Sequence, residues 1–172
     1  MQSVSINKLD DMSTEKKING ESYTVYNDTL EDLDKLGEYK VIEMGSFYVA
    51  EIPLASFGYY FCSGVALNNY KKSGLIHSIP MDRGGNPEVL IRAVRKEMGV
   101  KYKDLKAVPM GVDDLENILK YLGKKKVSIP KFYREEDFFV DDWRTTACPR
   151  DMIVLPGWVF IYSHRGKKEI RL

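Results

Sequence analysis

Cys62 and His77 lie fifteen residues apart, in two short apolar runs, 59–67 and 74–79, that both read as β-strands. The chain holds two cysteines and two histidines, and one of each falls on this single expected hairpin, joined by the polar loop 68–73. Strand pairing can bring a thiol and an imidazole within hydrogen-bond reach, the minimum geometry of an activated sulfur nucleophile. An imidazole that takes the thiol proton leaves a thiolate–imidazolium pair and depresses the thiol pKa. A third group must then orient the ring, and Ser56 is the candidate. It lies six residues before Cys62, beyond Phe57-Gly58, where the chain can turn back toward the strand end. Its hydroxyl can hydrogen-bond the second ring nitrogen without adding a negative charge. Such a set suits attack on the carbonyl carbon of an amide, ester or thioester. The backbone N–H groups of Phe61 and Cys62 are the expected oxyanion donors. The competing reading is packing: free cysteine is among the most buried residue types, and Cys62 has aromatic and apolar neighbours.

The elements that must hold these residues are read from periodicity. Runs 39–44 and 46–52 read as strands separated by Gly45, with Pro53 closing the second. Asn86-Pro87 opens the clearest helix, 87–98, with Val89, Leu90, Ala93, Val94 and Met98 as its apolar stripe and Gly99 as its stop. Run 105–110 reads as a strand. Asp113 with Glu116 suggests a capping box for a second helix that buries Leu115, Ile118, Leu119 and Leu122 and ends at Gly123. Earlier in the chain, 23–26 reads as a short strand and 29–36 as a short helix. Residues 127–147 give no firm element, although Phe138, Phe139, Val140 and Trp143 are expected to pack. Runs 152–155 and 158–162 flank Pro156-Gly157 as a closing hairpin, and 164–172 reads as a charged tail. Strands outnumber helices without alternating strictly with them. This favours an α+β fold of mixed sheets over a doubly wound parallel sheet.

A length of 172 residues suits one domain, 21–172, behind a flexible N-terminal tail, 1–20. Lys plus Arg number 26 against 25 for Asp plus Glu, a balance that argues against a general nucleic-acid binder or a membrane-surface protein. No apolar run approaches the ~20 residues of a membrane span, and the first residues contain no secretory apolar core. Two cysteines do not make a disulfide framework, so a reducing cytoplasm is the expected compartment, with export without a cleaved signal still compatible. Two cysteines and two histidines without a Cys-x-x-Cys pair do not make a zinc site. No metal or organic cofactor is expected. Cys148 reads as structural. Asp82-Arg83-Gly84-Gly85-Asn86 reads as a connector into a helix, or as an anion or substrate lip. The acidic runs at 135–137 and 141–142 read as surface charge, with a docking surface as the alternative.

The stretch Val41-Ile42-Glu43-Met44-Gly45, then 53–67 with Ser56 six before Cys62, then Gly74-Leu75-Ile76-His77 followed by Pro80, resembles the chemoreceptor glutamine deamidase family (CheD). The resemblance covers roughly 40–163 and is strongest over 41–80. It implies a layered α/β/β/α sandwich of mixed β-sheets, shared with the catalytic domain of cytotoxic necrotizing factor toxins. It also implies Cys62 as nucleophile, His77 as general base and acid, and Ser56 as the group that orients His77. The implied partners are a protein substrate bearing a reactive glutamine and a regulatory protein, with neither nucleic acid nor membrane insertion. The chain departs from the family where Tyr59-Tyr60-Phe61 replaces Leu-Gly-Ser, and where Ser56 stands for the usual threonine. Three functions stay open at this point: a protein-glutamine deamidase, an inactive binding protein on the same scaffold, and a small-molecule amidase or esterase.

Overall fold

The computed structural model describes residues 11–112, 114–134 and 150–172. In chain order the elements are β1 (Ser13–Ile18), β2 (Glu21–Tyr26), α1 (Asn27–Leu36), β3 (Lys40–Val41), β4 (Ser46–Ala50), β5 (Leu54–Ser56), β6 (Ser63–Asn68) and β7 (Ser73–Ser78). There follow α2 (Pro87–Met98), β8 (Lys106–Met110), α3 (Leu115–Lys124), β9 (Asp151–Leu155), β10 (Trp158–Ser163) and β11 (Gly166–Arg171). A four-stranded antiparallel sheet has the order β4-β7-β6-β8, and a five-stranded sheet has the order β11-β10-β9-β5-β3. The five-stranded sheet is mixed through one parallel pair, β3 with β5; β1 and β2 form a separate antiparallel hairpin.

Side-chain alternation along the strands sorts the core into three layers. Val65, Leu67 and Ile76 leave one face of the four-stranded sheet and pack on Ile91, Val94 and Met98 of α2 and Ile118 and Leu122 of α3. Ala66, Leu75, Val108 and Met110 leave the other face and meet Leu54, Met152, Val154 and Ile161 of the five-stranded sheet. Beyond that sheet, Ala55, Ile153 and Tyr162 pack on Val25 and Leu33, the latter from α1. The fold is therefore the expected α+β layered α/β/β/α sandwich. Every residue of β6 and β7 is buried, which is why both strands read as continuous apolar runs rather than alternating ones.

Local chemistry explains the firmest boundaries. The Asn86 side chain accepts from the Val89 N–H at 3.1 Å, Pro87 occupies the first helical turn, and Gly99 closes α2 at a φ of 69°. Several sequence expectations are corrected. Residues 13–18, expected within a flexible tail, form β1 against β2, and 166–171, expected as a charged tail, form β11 against β10. In both, lysines and glutamates line the exposed side and hide the strand pattern. The buried stripe of α2 is Pro87, Ile91, Val94 and Met98, so Val89 is exposed. Asp114 directly precedes α3; its carboxylate makes no cap and accepts from the Met81 N–H at 2.9 Å. The 39–44 run shortens to β3, and β5 follows Pro53. Expectations for Asp113, Phe138, Phe139, Val140, Trp143, Cys148 and the acidic runs fall outside the described residues.

Candidate functional site

All three candidate side chains belong to the layer between the two sheets. On β7, His77 shares a face with Leu75, which packs in that layer. Gly64 of β6 pairs with His77, and Cys62, two residues earlier, lies on the same face and packs in the same layer. From the opposite sheet, Ser56 shares a face with Leu54. Cys62 itself lies one residue before β6 begins, in a bend rather than in the strand expected over 59–67. The structure thus brings Ser56 to His77, and sets Cys62 at the end of the strand that pairs with His77.

The hydrogen-bond arithmetic at Ser56 fixes the imidazole. Ser56 Oγ lies 2.7 Å from the Ile42 carbonyl oxygen and 2.9 Å from His77 Nδ1. A hydroxyl has one proton, and a carbonyl can only accept. Ser56 therefore donates to Ile42 and accepts from His77 Nδ1–H. This sets the tautomer: Nδ1 carries the proton, and Nε2 keeps its lone pair. Nε2 is buried and has no hydrogen-bond partner among the described residues. Burial, with the Arg150 charge nearby, pushes the His77 pKa down to about 3. The ring is neutral at physiological pH with its Nε2 lone pair unshared, and the same burial and Arg150 charge make that nitrogen a weaker base than an ordinary imidazole.

The Cys62 sulfur makes no hydrogen bond to Nε2, so the expected thiolate–imidazolium pair is absent from the resting site. Burial explains the difference. Desolvation pushes the Cys62 thiol up; Arg150 and Arg83 pull it back, and Asp114 pushes it up further. The resting pair is a neutral thiol beside a neutral imidazole.

The segment leading to Cys62 is held by residues the sequence reading did not single out. Arg150, 1% exposed, donates from Nε to the Tyr59 carbonyl at 2.9 Å and from Nη2 to the Tyr60 carbonyl at 2.7 Å. The Arg150 carbonyl accepts from the Tyr59 N–H at 2.9 Å. Next to it, the fully buried Asp151 accepts from the Tyr26 N–H, the Thr29 hydroxyl and the Gly58 N–H. Burial raises its carboxyl to about 6 against those three donors. The Tyr59 ring stacks on His77, with centroids 3.8 Å apart and planes at 19°, and its hydroxyl donates to the Ile76 carbonyl. Gly64 makes room for it: a Cβ there would lie 2.9 Å from Tyr59 Cε1. Tyr59 is buried, whereas Tyr60 and Phe61 are exposed at 43% and 46%. The expected oxyanion donors, the N–H groups of Phe61 and Cys62, make no hydrogen bond among the described residues.

Chemically, the site offers a thiol, a neutral imidazole with a fixed tautomer and an unshared Nε2 lone pair, and two backbone N–H groups at and before the cysteine. Arg150 and Asp151 carried one signal in the sequence, a charged pair directly before a run of apolar strand residues. That position does not by itself predict burial, which only the structure shows, and a buried charge needs a partner. No protein-family model matches the chain, and no curated protein matches it.

Proposed function

We propose that the chain is a cysteine amidohydrolase that deamidates glutamine side chains of a protein substrate. The observation that carries this reading is the donation from His77 Nδ1–H to Ser56, which leaves Nε2 as an unshared base on the face that also bears Cys62. Nε2 takes the thiol proton as the sulfur attacks the carboxamide carbon, and the Phe61 and Cys62 N–H groups receive the oxyanion. Collapse breaks the C–N bond, and the proton on Nε2 leaves with ammonia. Water then gives a proton to Nε2 and its hydroxide to the thioester carbon, which releases glutamate and restores the thiol. No metal or organic cofactor enters these steps. The resemblance to chemoreceptor glutamine deamidases supports the choice of substrate class, a receptor-type or divergent protein target. A cytoplasmic setting suits a nucleophile that must stay reduced, and no helix among the described residues is long and apolar enough to cross a membrane.

The second reading is an inactive binding protein on the same scaffold, favoured by the Tyr59 ring that covers one face of His77. Peptide mass mapping separates the two. Glutamine-bearing proteins incubated with the wild type are expected to show amide-to-acid conversion that Cys62→Ala abolishes. Conversion by neither protein across receptor-derived and unrelated substrates would support the binding protein. Ammonia release from small amides alone would indicate an amidase.

A further inference from the structure

We infer that Arg150 is a positioning residue for the nucleophile: its guanidinium fixes the peptide planes that lead into Cys62 and puts a permanent positive charge against the segment that carries the sulfur. The inference rests on Cys62 being the nucleophile of the proposed reaction.

The geometry gives Arg150 two separate roles. The first is orientation. A carbonyl and the following N–H share one rigid trans peptide plane and point in opposite directions. Arg150 Nη2 holds the Tyr60 carbonyl at 2.7 Å, so the Phe61 N–H in the same plane is aimed away from the guanidinium. Nε holds the Tyr59 carbonyl in the same way, one plane earlier. The Tyr59 N–H closes the clamp on the Arg150 carbonyl at 2.9 Å. Three hydrogen bonds from one residue thus set the approach to Cys62, including one of the two backbone donors expected to receive the oxyanion. A planar fork can hold two carbonyls at once; an ammonium acts as a point charge and cannot reproduce that spacing.

The second role is electrostatic. Arg150 is always charged and is 1% exposed, so its field is little screened by water. It favours the Cys62 thiolate, and it disfavours a second positive charge on His77. The other charges that act on Cys62 are Arg83, which also favours the thiolate, and Asp114, which opposes it. Arg83 is exposed, and Asp114 is engaged by the Met81 N–H. His77 stays neutral and free to act as a base. Arg150 thus favours the thiolate without a charged imidazole, while burial keeps the resting thiol neutral.

The test is the pH profile of Cys62 alkylation by iodoacetamide, read by peptide mapping, for wild type, Arg150→Gln and Arg150→Lys. This readout needs no deamidase activity. Arg150→Gln is expected to move the Cys62 alkylation profile to higher pH and to slow alkylation at pH 8 severalfold, because the charge that favours the thiolate is gone. Arg150→Lys is expected to keep the wild-type profile, because it keeps the charge. A profile in Arg150→Gln that superimposes on wild type overturns the electrostatic role. If Arg150→Gln fails to fold, Arg150→Met, unbranched and uncharged, takes its place, and a profile there that superimposes on Arg150→Lys overturns the same role. Amide exchange tests orientation: in Arg150→Lys the Tyr59 N–H, which donates to the carbonyl of residue 150, is expected to exchange faster than in wild type, with the Gly45 and Ile42 amides unchanged. Unchanged exchange at Tyr59 overturns that role. A profile that shifts as expected in a protein that deamidates nothing leaves the inference standing and removes the deamidase reading.

Discussion

Ser56 has one hydroxyl proton, and its destination decides what His77 can do. The Ile42 carbonyl takes that proton, so the ring nitrogen facing Ser56 must donate and the other keeps the lone pair. A serine in this role orients without charge. A carboxylate there would stabilise an imidazolium, whereas here burial and Arg150 hold the ring neutral. Nitrogen-15 chemical shifts of the His77 ring test this directly. Nδ1 is expected to be protonated and Nε2 unprotonated from pH 7 to below pH 5. In Ser56→Ala the two tautomers are expected to average. The contact between Ser56 and His77 was legible in the sequence because spacing along the chain suggested it. Arg150 was not, because it acts on Tyr59 from 91 residues away and only the closed sandwich brings the two together. Tyr59 was legible as a bulky residue before Cys62, but its stacking on His77 depends on the strand register.

At the scale of elements, the β6–β7 hairpin and the segment ahead of it form one packed unit. Gly64 pairs with His77 and leaves the space that the Tyr59 ring fills. A methyl group at Gly64 would meet Tyr59 Cε1 at 2.9 Å and Met110 Cε at 3.0 Å. Gly64→Ala is therefore expected to lower stability by about 1–3 kcal/mol, the usual cost of overpacking. Adding Tyr59→Leu is expected to recover part of the loss. Denaturant midpoints of the single and double variants check both. The long, buried strands and the well-capped α2 could be read from sequence because local chemistry and tertiary packing agree there. β3 was read too long, over 39–44, and β5 and β11 were hidden. β3 and β5 have only two and three residues, too few for a period, and they pair in parallel. β11 buries Ile170 behind alternating charges that read as a solvated tail.

At the scale of the whole molecule, two buried ionisable groups act on stability in opposite directions. The Asp151 pKa is raised to about 6, above its ordinary value of about 3.9, so the folded state binds its proton more tightly. That contribution is full below about pH 4 and is lost as pH rises through about 6. The His77 pKa is depressed to about 3 from about 6.5, so the unfolded chain binds its proton more tightly. That contribution is full above about pH 6.5 and is lost as pH falls through about 3. Between pH 4 and 6 the two slopes oppose one another. His77→Gln removes only the second. The stability of wild type relative to His77→Gln is expected to rise with pH by up to about 1.4 kcal/mol per unit between pH 3 and 6.5. Denaturant unfolding across that range measures it, and a constant difference would show that His77 titrates normally.

The central claim is that His77 Nε2 serves as the base for the Cys62 thiol. Its most direct test is the rate of Cys62 alkylation at pH 7 in wild type and in His77→Gln, which keeps a polar side chain but has no proton-accepting ring nitrogen. The account predicts clearly faster alkylation in wild type, with Ser56→Ala between the two. Equal rates in all three proteins would contradict it and leave Cys62 and His77 as neighbours in a packed core.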